Sequence, residues 1–351
     1  MELFVLVVFA TVYVGMILGE LPRLALDRTG VALLGAIALL ALMVAATGLL
    51  SAVFTNDVVC LAMAPVWIDT CARRRLDPVP FLLALACAAN VGSAATLIGN
   101  PQNILIGQKL ALSFNGYLGV AALPTAIGLV AVWGVIALQQ RGNWGGTGGA
   151  ADGALAEDEE IAPFDVWQTA KGLAVVAVLL VVFVATSWPR EVAALGGAGV
   201  LLLSRRLHSR EKLGLVDWPL LVLFLGLFVV NGALAATGLA EATVATLRDR
   251  GIDLVQPSWL LAATVALSNL VSNVPAVMLL LPHVQGAQGG PLLALGSTLA
   301  GNLVLVGSIA NLIVVDAASR HGIPLTWRRH ARTGLPVTLL TLLPLLTWGR
   351  S

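Results

Sequence analysis

Apolar residues fall in long runs along this chain: Leu3–Leu18, Val31–Leu50, Phe81–Ile98, Leu118–Leu138, Leu173–Val184, Leu220–Val230, Leu260–Leu281 and Leu335–Leu346. Several approach the ~20 residues with which a helix crosses a ~30 Å hydrocarbon layer. One or two such runs can be core helices of a soluble protein. So many cannot, and the pattern predicts an all-α polytopic membrane protein. Leu3–Leu18 reads as a retained helix and not as a signal peptide, because Glu2 stands where a basic region belongs and no small-residue cleavage site precedes Glu20.

The polar interruptions divide these runs into two halves. Residues 139–163 are rich in glycine and carry Glu157, Asp158, Glu159 and Glu160 without any apolar period, which predicts a flexible, solvated linker. It separates an N-terminal repeat, residues 1–138, from a C-terminal repeat, residues 164–351. Leu-Ser-Ala-Val-Phe-Thr-Asn-Asp, ending at Asp57, matches Leu-Ser-Asn-Leu-Val-Ser-Asn-Val, ending at Val274. A proline, Pro65 or Pro282, follows each at the same distance. Thr-Leu-Ile-Gly-Asn-Pro-Gln-Asn-Ile from Thr96 then matches Val-Leu-Val-Gly-Ser-Ile-Ala-Asn-Leu from Val304. Paired matches in one order point to transporter architecture.

Each half is expected to contain a re-entrant hairpin, two apolar arms of roughly 8–12 residues, too short to span, about a polar tip. The tips are Thr55-Asn56-Asp57 and Ser272-Asn273. A helix interrupted at Gly99-Asn100-Pro101-Gln102-Asn103, or at Gly307-Ser308 and Asn311, follows each hairpin. Pro101 removes an amide donor and crowds the preceding turn, so the first broken helix is expected to break there. The basic clusters at Arg73–Arg75, at Arg205, Arg206, Arg210 and Lys212, and at Arg328, Arg329 and Arg332 are predicted to face the cytoplasm together with the linker. The two hairpins then enter from opposite faces, as inverted repeats. The N-terminal repeat is shorter: Gly30 to Asn56 is about fifty residues less than Gly197 to Asn273, enough to hold a spanning helix. Trp218–Thr237 and the amphipathic stretch after it have no counterpart in the first half.

Composition agrees, with 58% of residues hydrophobic and 11% charged and a mean hydropathy of +0.92. A net charge of +1 gives no footing for nucleic acid. Cys60, Cys71 and Cys87, odd in number and inside apolar surroundings, read as small core residues. Trp188, Trp218, Trp259, Trp327 and Trp348 fall near helix ends, as an interfacial belt does.

Chemistry is expected where the backbone is irregular. In hydrocarbon an unpaired N–H or C=O costs several kcal/mol, so such backbone survives only when buried in protein or lining a cavity. Two tips and two breaks predict one four-part site. Open helix N-termini there suit an anion, and freed carbonyls with Asn and Thr oxygens suit sodium. The candidate substrate- and ion-binding residues are Thr55, Asn56, Asp57, Thr96, Gly99, Asn100, Pro101, Asn103, Ser272, Asn273, Gly307, Ser308 and Asn311, with sodium expected at Asn56, Asn103, Asn273 and Asn311. Asn56 and Asn273 also fit plain helix caps, Gly99 and Gly307 fit backbone geometry, and Asp57 fits a helix-dipole role as well as that of a proton or cation carrier. Asp316 beside Arg320 reads as an interfacial ion pair, and His283 as an interfacial residue.

These segments resemble the ion transporter superfamily that includes citrate transporters, divalent anion:sodium symporters, arsenite permeases and a class of sodium/proton antiporters. The two tips resemble the Ser-Asn-Thr tips of the dicarboxylate branch, and Gly99–Asn103 its Gly-Thr-Pro-Pro-Asn break. Asp57 and Val274 replace the threonine, which brings the tips closer to arsenite and general anion permeases. The resemblance implies an elevator-type secondary transporter in the cell (inner) membrane, multi-pass and often homodimeric. It would move a small anionic substrate with sodium or protons as coupling ion and without an organic cofactor. An arsenite exporter or sodium/proton antiporter is the alternative. An intramembrane enzyme would need a catalytic pair at membrane depth, and Asp57 is the only membrane acid of interest.

Overall fold

The computed structural model describes residues 28–73, 76–140, 166–186, 188–203, 213–214, 216 and 218–346. The first apolar run, Arg74 and Arg75, nearly all of the linker, the Arg205–Lys212 cluster and Trp348 lie outside them. Fourteen α-helices and two 3₁₀ turns make up the described elements. In the N-terminal half these are α1 (Arg28–Val53), α2 (Asn56–Arg73), α3 (Pro78–Ser93), α4 (Pro101–Lys109) and α5 (Phe114–Gln139). The C-terminal half contributes α6 (Val166–Ala185), α7 (Arg190–Leu202), α8 (Trp218–Ala236), α9 (Leu239–Asp249) and α10 (Pro257–Val271), then α11 (Asn273–Leu280), α12 (Gly286–Ala300), α13 (Ile309–Arg320) and α14 (Trp327–Leu346).

The core surrounds α3 and α12. Every residue of α3 from Val79 to Ser93 is buried, as is every residue of α12 from Gly289 to Ala300. Around them pack α1, α2 and α5 on one side and α10, α11 and α14 on the other. The halves also interlock: α2 packs on α13, and α11 packs on α4. Each tip helix therefore leans on the second segment of the other half's broken helix. At the α1–α3 crossing, a Cβ on Gly92 would lie 2.3 Å from the Cα and carbonyl oxygen of Gly48, so the two backbones touch there.

Polarity runs opposite to that of a soluble protein. Asn, Ser, Thr and Gln side chains are buried throughout the centre, while large apolar side chains such as Leu123 (67% exposed) and Val130 (63%) face outward. An outer surface of this kind is stable only against lipid or another apolar surface. Phe114–Gln139 and Val166–Ala185 are long and apolar enough to cross a bilayer, and the chain is an all-α membrane protein. Cys60, Cys71 and Cys87 are free and buried. Asp316 and Arg320 form an exposed ion pair at 2.8 Å.

The hairpin arms differ from the short arms expected of them. α1 runs 26 residues without interruption, because no proline stands between Val31 and the tip and an apolar helix satisfies its own backbone. α2 continues for 18 residues through Pro65. In the second half α11 stops after eight residues and Pro282 lies in the 3₁₀ turn Leu281–His283.

Candidate functional site

Both broken helices open ahead of their signature residues. The first stops at Ser93 and resumes at Pro101, which occupies the first turn of α4. There the absent amide is one that no helix would have paired. Pro101 thus starts the second segment, and the break lies upstream of it, a shift from the expected position. Asn100 caps α4, its side-chain oxygen accepting from the Asn103 amide at 2.8 Å. The second break spans Gly301 to Ser308 and includes the 3₁₀ turn Leu305–Gly307.

The freed carbonyls of each break are held by an asparagine one turn into the next helix. Asn103 Nδ2 donates to the Thr96 carbonyl at 2.9 Å and to the Tyr117 hydroxyl at 3.2 Å. The Tyr117 hydroxyl donates in turn to the Ala94 carbonyl. Asn311 Nδ2 donates to the Gly301 carbonyl at 2.8 Å and to that of Val304 at 3.4 Å. Thr96 and Val304 stand at equivalent places, as do Asn103 and Asn311. Gly99 and Gly307 fit their breaks closely. A Cβ on Gly99 would lie 2.2 Å from the Ser93 carbonyl oxygen, and one on Gly307 would lie 3.0 Å from Asn269 Oδ1.

Across the molecular centre the halves exchange matching bonds. Asn90 on α3 donates to Asn311 Oδ1 at 3.0 Å and accepts from Ser308 Oγ at 2.8 Å. Thr298, its equivalent on α12, donates to Asn103 Oδ1 at 3.4 Å and accepts from Asn100 Nδ2 at 3.1 Å. Gln102 Nε2 donates to the same Thr298 hydroxyl at 3.3 Å. Asn90 also bonds Asn302 and, through Asn56 Nδ2 at 2.9 Å, the first tip.

Each tip is tied to the break of its own half. The Asn56 backbone amide donates to the Gly99 carbonyl at 3.0 Å; the Asn273 side chain faces the Gly307 and Ser297 carbonyls, and the amide orientation that satisfies them puts its nitrogen 3.1 Å and 2.9 Å from those oxygens. Thr96 Oγ1 donates to the Ala52 carbonyl beside the first tip. Asn56 is the first residue of α2, and its Oδ1 is buried with no hydrogen-bond donor, so it does not act as a cap. An acceptor left so costs about 1–3 kcal/mol. Ser272 adopts φ 74° and ψ 163°, a region natural to glycine, at a cost of order 1–3 kcal/mol.

These elements meet in a cavity of about 20 Å³ lined by Asn56, Asp57, Pro101, Gln102, Ser272, Asn273, Val274, Ser308 and Ile309. Every one of these residues belongs to the start of α2, α4, α11 or α13. Four helix N-termini, each carrying roughly half a positive charge, therefore converge on one small space with a single carboxyl, Asp57, among its lining residues. About 10–15 Å³ holds one water, so this conformation admits a guest of water or small-ion size. Of the residues expected from sequence, Asn56, Asp57, Pro101, Ser272, Asn273 and Ser308 line the cavity. Thr55, Thr96, Gly99, Asn100, Asn103, Gly307 and Asn311 lie outside that lining, in the adjoining tips and breaks, and the sodium expected at Asn103 and Asn311 therefore has no place in this cavity. Asn90, Thr298, Asn302 and Tyr117 were not expected.

The citrate transporter family profile matches residues 5–292. An uncharacterized transporter of Mycobacterium tuberculosis is 32% identical over 317 residues, covering 86% of this chain and 74% of that protein. The silicon efflux transporter of Oryza sativa is 31% identical over 365 residues, 84% of this chain and 75% of its own. An inner membrane protein of Escherichia coli is 32% identical over 320 residues, 88% and 74% of the respective chains. With four helix starts gathered at one polar centre and this match across most of its length, the chain belongs to the citrate transporter family of membrane transporters.

Proposed function

We propose that this transporter is a secondary active carrier of a small anion, carboxylate-like or an oxyanion, coupled to sodium or protons through elevator-type alternating access. The observation that carries the reading is the convergence of α2, α4, α11 and α13 by their N-termini on one buried polar cavity. Such ends attract negative charge without a lysine or arginine. Among the lining residues there is no basic side chain, which leaves anion recognition to helix ends, amides and hydroxyls. Asn56 Oδ1, buried and without a donor, and the Asp57 carboxyl supply the electronegative side that a coupling cation needs. The rice relative is named for silicon efflux, which favours a compact substrate. Export of arsenite, or sodium/proton exchange, is the second reading, favoured by the Asn-Asp tip.

The test is uptake of labelled citrate, succinate, arsenite and silicic acid into proteoliposomes under imposed sodium or proton gradients. Gradient-driven accumulation of citrate or succinate is expected, and a response to arsenite alone would favour the second reading. Sodium-dependent proton flux that no anion alters would replace the anion reading with the antiporter.

A further inference from the structure

Asn90 makes four side-chain hydrogen bonds, all to the tips and breaks of the site. Its oxygen accepts from Asn56 Nδ2 at 2.9 Å and Ser308 Oγ at 2.8 Å, and its nitrogen donates to Asn302 Oδ1 at 2.9 Å and Asn311 Oδ1 at 3.0 Å. Two donated and two accepted bonds are all that a carboxamide can form. A rotated Asn90 amide would set its NH₂ against the Asn56 NH₂ and its oxygen against two amide oxygens. Its orientation is therefore fixed by neighbours from both halves, and it fixes Asn56 in turn: Nδ2 is taken by Asn90, which leaves Oδ1 as the free acceptor. The equivalent Thr298 bonds Asn100, Gln102 and Asn103, while Asn273 turns its NH₂ to two carbonyls instead. The device serves the first tip alone.

We infer that Asn90 is a positioning residue that holds the Asn56 side-chain carbonyl open toward the coupling cation and ties that orientation to the geometry of the second break. The inference rests on the cation-coupled reading above. An electropositive guest at Asn56 Oδ1 repairs the unpaired acceptor, and the same bond network reports its arrival to Ser308 and Asn311 in the other half.

A double-mutant cycle on the full chain tests this, with Asn90→Leu, Asn56→Ala and the two combined. The first readout is thermal stabilisation in detergent by sodium chloride against choline chloride. Asn90→Leu is expected to raise half-saturating sodium about tenfold, and in the Asn56→Ala background to change it by less than about twofold, since residues acting through one another are not additive. Equal effects in both backgrounds would overturn the inference. The second readout is hydrogen exchange of the amides from Phe54 to Cys60. Asn90→Leu should accelerate it about tenfold only when Asn56 is present. Equal acceleration with and without Asn56, or none, would likewise overturn it. If the parent protein gives no response to sodium, sodium coupling fails and the exchange cycle alone decides the role of Asn90. Asn90→Thr replaces the leucine variant in the cycle should the latter not insert.

Discussion

The two tips share an asparagine preceded by a hydroxyl residue, yet they are built differently around it. The first, Thr55-Asn56-Asp57, joins a 26-residue helix to an 18-residue one, carries a carboxyl at its cavity, and leaves the Asn56 oxygen unpaired. The second, Ser272-Asn273-Val274, joins helices of 15 and eight residues, presents an apolar side chain where the acid stands, and holds Ser272 at positive φ. The breaks differ in the same sense. One is capped by Asn100 and started by Pro101, while the other has Ser308 without a capping bond and Ile309. A repeat thus preserves the backbone plan and divides the labour. At the tips, the carboxyl stands in the first and the positive-φ backbone in the second.

The glycines of the breaks separate the halves most sharply. Gly99→Ala drives a methyl into the Ser93 backbone at 2.2 Å, whereas Gly307→Ala meets the end of the Asn269 side chain at 3.0 Å. The expected losses are about 3 kcal/mol or more for the first and about 1 kcal/mol for the second, read as melting shifts in detergent. Equal shifts would show the two breaks to be packed alike. Next in size, Asp57→Asn is expected to weaken cation-dependent uptake by ~1.5–3 kcal/mol, roughly ten- to a hundredfold. Val274→Asn should leave uptake within about threefold, less than 1 kcal/mol. A reversed order in proteoliposome assays would move the electrostatic role to the second tip. Ser272→Gly should stabilise the protein by about 1 kcal/mol by releasing the strained conformation, while Thr55→Gly, whose φ is not positive, should only lose stability. The smallest effect is at the helix starts. Pro101→Ala should cost about 0.5 kcal/mol and Ile309→Pro should be tolerated, because proline suits a first helical position.

Much of this was legible in the sequence because irregular backbone inside lipid demands unusual residues. Asn56, Asn273, Gly99, Pro101 and Gly307 interrupt apolar runs where leucine or valine would be neutral, and their paired spacing located the tips and breaks. In the structure those positions adjoin one another. Asn90 and Thr298 escaped for the opposite reason. Each sits inside a mainly apolar helix, and a helical threonine can satisfy its hydroxyl on a carbonyl a turn earlier, as Thr264 does on Leu260. The meeting of α3 with α2 and with the second break and α13, and of α12 with α4, gives them partners, and that meeting is a property of the tertiary fold. The length of α1 was hidden too, since an apolar run marks no place where a helix must end.

Where Gly92 meets Gly48, main chain rests on main chain with no side chain between to roll or slide upon. Any substitution that adds a Cβ at Gly92 would part α1 from α3, so the helix that leads into the first tip and the helix that leads into the first break keep their spacing only while that position stays bare.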